Sequence, residues 1–105
     1  MIMIAIDWIK QCVTDQTYFY SAHADKERLA DNLTLIEIEE AIQNGIILEQ
    51  YADTGRGSSC LVAGFTLLGK PIHIVVGRKV EQIVIITVYI PTPPKFSTPF
   101  KRNRP

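Results

Sequence analysis

Pro71-Ile-His-Ile-Val-Val-Gly77 and Ile83-Val-Ile-Ile-Thr-Val-Tyr89 follow one another in the third quarter of the chain. Both are rich in β-branched residues, so they read as adjacent strands joined through Arg78-Lys-Val-Glu-Gln82. Period two gives each strand two unlike faces. Ile72, Ile74 and Val76 share one face, and simple alternation assigns Val84, Ile86 and Val88 to it from the second strand. His73, Thr87 and Tyr89 fall on the other. Polar groups interrupting one side of an apolar hairpin mark either a face toward water or the wall of a site, and the wall of a site is the working expectation.

Outward from this hairpin, strands are expected back to Gly45. Residues 46–51 form one, residues 52–59 a loop, and residues 60–68 a second. Leu68-Gly-Lys-Pro71 suits a tight turn, with proline at the start of a strand where its missing donor is tolerated. Short connections favour an antiparallel meander. Before Gly45 the spacing is helical. Ile2, Ile6, Ile9 and Val13 make a stripe that packs on the sheet or, with Trp8, on a second copy. An aromatic strand over residues 17–20 follows, then a helix over residues 23–31 capped by Ser21 and ended by Asn32. Thr34-Leu-Ile-Glu37 has the form of a capping box and opens a helix to Asn44, with Leu35, Ile38 and Ile42 inward and Gly45 as a left-handed stop.

With 105 residues and 47% hydrophobic content the chain is long enough for one small core. The expectation is an α+β domain over residues 1–94, with helices packed on one face of a four- to five-stranded antiparallel sheet. Residues 95–105 follow as a basic, extended or flexible tail. No spanning segment or basic leader is expected, and Cys12 and Cys60 have neither zinc spacing nor a disulfide framework. Both points suit a cytoplasmic protein. Net charge is zero but lopsided: residues 1–54 hold ten acids and three bases, −7, and residues 55–105 hold eight bases and one acid, +7. Such a basic half either faces nucleic acid or an acidic protein, or complements the acidic half within the fold.

Two groups of residues have chemistry to offer. On the first short helix, Glu27 lies four residues after His23 and can hold its imidazole, while Arg28 sits about 100° further round. On the sheet stand His73, Thr87 and Tyr89. An imidazole shuttles protons near neutral pH, a guanidinium stabilises charge gathering on a phosphate, and a hydroxyl bonds or stacks with a base. These are the parts of a metal-independent ribonuclease. His23 or His73 would transfer the proton, Glu27 would orient it, Arg28 would stabilise the phosphate, and Thr87 with Tyr89 would contact RNA. Each also has an ordinary role as a surface charge or strand former. No zinc spacing is present among the possible ligands, and no metal or cofactor is expected. Asp53-Thr-Gly-Arg-Gly-Ser-Ser59 could offer backbone donors to a phosphate but lacks a P-loop ending.

Several blocks stand in order: His23-Ala24, Leu33-Thr34 with Ile38-Glu-Glu-Ala-Ile42, Tyr51-Ala-Asp-Thr-Gly-Arg-Gly57, Gly69-Lys-Pro-Ile-His-Ile-Val75 and Ile86-Thr-Val-Tyr89. The series, over about residues 18–95, resembles a bacterial family of unknown function grouped with RelE-like toxins of type II toxin–antitoxin systems. That resemblance implies helices on one face of an antiparallel sheet and an mRNA endonuclease, ribosome-associated or free, that a neighbouring antitoxin neutralises. The implied partner often bears a Cys-x-x-Cys zinc module. Many such relatives carry arginines four and eight residues after the histidine matching His23, where this chain has Glu27 and Asp31, so Arg28, Arg56 and Arg78 would supply the charge. The alternative is a non-catalytic RNA- or protein-binding module, monomeric or homodimeric, on the same fold.

Overall fold

A computed structural model describes residues 3–53, 55, 57–92 and 96–102. Three helices come first among them: α1 (Ile6–Thr14), then, after the strand β1 (Tyr18–Tyr20), α2 (Ala22–Ala30) and α3 (Leu35–Gln43). Four strands follow, β2 (Ile46–Tyr51), β3 (Ser59–Phe65), β4 (Pro71–Lys79) and β5 (Gln82–Tyr89). The sequence signals for the helix starts are realised. Ser21 Oγ accepts from Ala24 N at 3.0 Å, and Thr34 and Glu37 exchange both bonds of a capping box. Asn32, at φ +57°, turns the chain between α2 and α3.

The sheet order is β1-β5-β4-β3-β2. β2 to β5 form the expected meander, but β1 lies parallel to β5, so the sheet is mixed rather than antiparallel. The cause is connectivity: two helices separate β1 from the meander, which frees it to join the edge left by the last strand in either direction. β1 pairs only as far as Ile85. Beyond that point α2 completes the β5 edge with side chains: Ser21 Oγ donates to Ile86 O at 3.0 Å, and Val88 N donates to Glu27 Oε1 at 3.1 Å.

All three helices contribute to one core, in which Ile9, Ala24, Ile38 and Ile42 meet Cys60, Val62, Ile72, Ile74 and Val76. The β5 side differs from simple alternation. A register shift falls where Val75 pairs with Thr87 and Val76 with Ile85, leaving Ile86 as the extra residue. This bulge reverses the phase of the strand before it. Ile83, Ile85 and Val88 therefore enter the core, while Val84 is half-buried outside it and Ile86 is exposed.

Gly45 is also not the left-handed stop read from the sequence, being absent from the positive-φ positions. It is glycine because a Cβ there would stand 2.7 Å from Ala41 O and 2.8 Å from Val62 Cγ1. Gly64 is tighter still, with the Ala41 carbonyl where its Cβ would be. α3 lies on β3 at these two glycines. Gly64→Ala is expected to lower unfolding free energy by about 2 to 3 kcal/mol, read from urea denaturation, whereas alanine at the open, exposed turn position Gly55 should cost less despite its φ of +110°.

After residues 93–95, which lie outside the described set, β6 (Phe96–Thr98) and β7 (Lys101–Arg102) form a separate two-stranded hairpin. Its turn rests on the face of the sheet that the helices leave bare, with Phe100 and Phe65 at 5.5 Å between ring centroids.

Candidate functional site

The residues named from the sequence are divided between the two faces of the sheet. Ile72 and Ile74 point into the helix-facing core, so His73 between them points out of the opposite side. There it is wholly buried. Its Nδ1 lies 3.1 Å from the Tyr89 hydroxyl, and its Nε2 bonds the Pro99 carbonyl of the C-terminal hairpin. A carbonyl only accepts, so Nε2 carries the proton and Tyr89 donates to Nδ1. Tyr89 pairs with His73 across the strands and Thr87 with Val75, so both hydroxyl residues line this outer face as expected.

His23, Glu27 and Arg28 sit on α2, behind the other face. Ala24 of α2 packs into the core with Ile72 and Ile74, whereas His73 points out of the opposite face, so among the described residues the expected cleft, which needed both on one face, is not formed. His23 is exposed, with Nε2 3.4 Å from Glu27 Oε2. Glu27 is thus shared: one oxygen holds the histidine and the other closes the β5 edge at Val88. Arg28 is turned to the fold. Its Nε bonds Asp25 at 2.8 Å, its Nη1 reaches Leu33 O at 3.4 Å, and its guanidinium lies over the Tyr20 ring. Arg78 likewise stacks on Trp8 of α1, 4.6 Å from the ring centroid. Arg56 lies outside the described residues.

The loop before β3 gives a different result from the phosphate cradle considered above. Gly55 N and Gly57 N both donate to Asp53 Oδ1, at 2.8 and 2.9 Å, and hold that carboxyl below its usual range. An anion of the chain's own already occupies these donors.

What the sequence did not reveal is a groove of about 730 Å³ on the outer face, further along the strand that carries His73. Gly77 is its floor. A Cβ at Gly77 would stand 2.7 Å from Ile86 Cδ1 and 3.3 Å from Val84 Cγ1, the two residues that the bulge turns outward. Tyr51, Ser58 and Ser59 form one wall and Lys79 the rim. Next to it the Lys79 ammonium lies over the Phe19 ring, 5.8 Å from its centroid. Recognising the groove from sequence needed the position of the bulge, which no residue type announces.

A model for a domain of unknown function, DUF4258, matches residues 20–90. The chain belongs to this family. No curated protein and no solved structure matches it. The DUF4258 stretch runs from the end of β1 to just past β5, so it contains the groove and the His73 row and leaves out α1 and the C-terminal hairpin. Among the described residues, no cluster of three or more histidine, cysteine, aspartate or glutamate side chains has metal-binding geometry, and no helix is long and apolar enough to cross a membrane. Cys12 and Cys60 are unpaired and buried, and burial pushes the Cys60 thiol up to about 12.

The edge role of Glu27 is separable from service to His23. Glu27→Ala removes the acceptor for Val88 N and is expected to cost about 1 to 2 kcal/mol, whereas Glu27→Gln keeps a side-chain oxygen there and His23→Ala keeps the carboxylate. Chemical denaturation of the three variants should show the loss in the alanine variant at 27 alone.

Proposed function

We propose that this DUF4258 chain is a non-catalytic binding module that takes single-stranded RNA across the outer face of its sheet. The observation that carries the reading is the groove over Gly77. It is the place where open space, hydroxyl donors, a stacking-competent aromatic ring and a cation meet on one surface. Sequence-tolerant recognition of single strands uses these parts: aromatic faces for bases and lysine or arginine for phosphates. Tyr51, Phe19, Lys79 and the two serines supply them.

Cleavage has less support. The two histidines serve different faces, His73 has both ring nitrogens engaged, and Arg28 is committed to Asp25 and Leu33. A toxin that cleaves RNA by attack of its own 2′-hydroxyl would have to work with the His23–Glu27 pair, whose glutamate is also tied to the Val88 amide. A binding role asks nothing of that pair.

A short fluorescent oligouridine should therefore bind the purified protein, with affinity falling as salt rises. Lys79→Glu should weaken binding about 10-fold and flatten the salt dependence by about one phosphate contact. His23→Ala should bind like the parent, and RNA held with the protein in chelator should stay intact. Fragments ending in cyclic phosphate, lost in His23→Ala, would replace this reading with the nuclease one. Binding indifferent to Lys79→Glu would remove the groove.

A further inference from the structure

The C-terminal hairpin is a body of its own: β6 and β7 pair with each other and with no strand of the main sheet. It docks by its turn. Pro99 presents its carbonyl to His73 Nε2, and Phe100 lays its ring at 58° to Phe65, with Phe100 still 40% exposed. The turn covers His73, and the neighbouring outer-face residues Leu61 and Ala63 are equally buried, at 0 to 1% exposure. His73 is held from the side by the edge of the Tyr89 ring, 5.2 Å away between centroids, and by the Tyr89 hydroxyl. The imidazole is therefore fixed in orientation and tautomer, with one N–H aimed outward.

The pair that fills this place has a recognisable chemistry. A flat ring meets the Phe65 side chain at a tilt of 58°, and one residue away a carbonyl oxygen accepts from a buried N–H. A pyrimidine base offers a comparable pair, a flat ring that can pack on an aromatic side chain and an exocyclic carbonyl. The place also lies on the track of the groove. His73 and Gly77 are on the same strand and face, four residues or about 13 Å apart.

We propose that Phe65 and His73, with Tyr89 as the positioning residue for His73, form a nucleobase seat, and that Pro99–Phe100 occupies it as an internal mimic. RNA in the groove would gain this second contact when the hairpin lifts, so the tail lowers affinity by competing for the seat. The inference rests on the RNA-binding reading of the groove, which it extends to a particular base contact.

Uridine monophosphate is the probe for the seat alone, titrated into the full chain while NMR follows the Phe65 ring and His73 imidazole signals. In Phe100→Ala, whose fold is checked by circular dichroism, the seat is uncovered and the nucleotide should bind about 10-fold tighter than to the parent. The shifts should fall on Phe65 and His73. Phe100→Trp, which keeps the seat closed, should behave like the parent, and Phe65→Ala added to Phe100→Ala should abolish the gain. Equal binding by parent and Phe100→Ala, or shifts confined to Phe19 and Lys79, overturns the seat. The groove reading fails separately, through oligouridine binding that ignores Lys79→Glu, so the two failures are distinguishable.

Discussion

The contact on which the structure depends is the approach of α3 to β3, where the Ala41 carbonyl occupies the space that a side chain at Gly64 would need. A helix this close to a strand leaves no room for a side chain between them at that point. It fixes which alternating residues of β3 and β4 become core, and the next residues along each strand are committed to the other face. Cys60, Val62, Ile72, Ile74 and Val76 go inward. Leu61, Ala63 and His73 go outward, where the C-terminal hairpin shelters the row at His73. The rest of that face, over Gly77, stays open.

Edge management follows from the same layout. β1 covers only the first half of β5, and an uncovered strand edge invites unwanted pairing. α2 deals with this by side chains, Ser21 toward the Ile86 carbonyl and Glu27 toward the Val88 amide. A glutamate with this duty is tied to the backbone, so its nearness to His23 is partly a consequence of the fold. That is why an i, i+4 histidine–glutamate pair on α2 carries less functional weight than its spacing suggests.

Much of the fold was legible in the residues. Ser21, Thr34 with Glu37, and Gly69 announce their caps and turn because each acts through bonds or dihedrals local to it. The meander was legible because its connections are short. β1 was misread in direction because its partner lies some sixty residues away, and nothing local encodes parallel or antiparallel pairing. The faces of β4 could be read from alternation alone. Those of β5 could not, since the extra residue at Ile86 shifts the phase and sends Val84 out and Ile85 in. The candidate site suffered the same way. Its members were named by type, His23, His73, Arg28 and Tyr89, but their meeting depended on which face each occupied relative to α2. Thr87 and Tyr89 kept their expected face beside His73, and the sheet parts all three from His23.

Nuclear Overhauser contacts of the two imidazole rings report on that separation. The ring protons of His73 should show contacts to Tyr89 and to Pro99 or Phe100, with a slowly exchanging Nε2–H, while those of His23 see α2 and solvent. Contacts from His73 to His23 or Arg28 would place both on one side of the sheet and refute that separation.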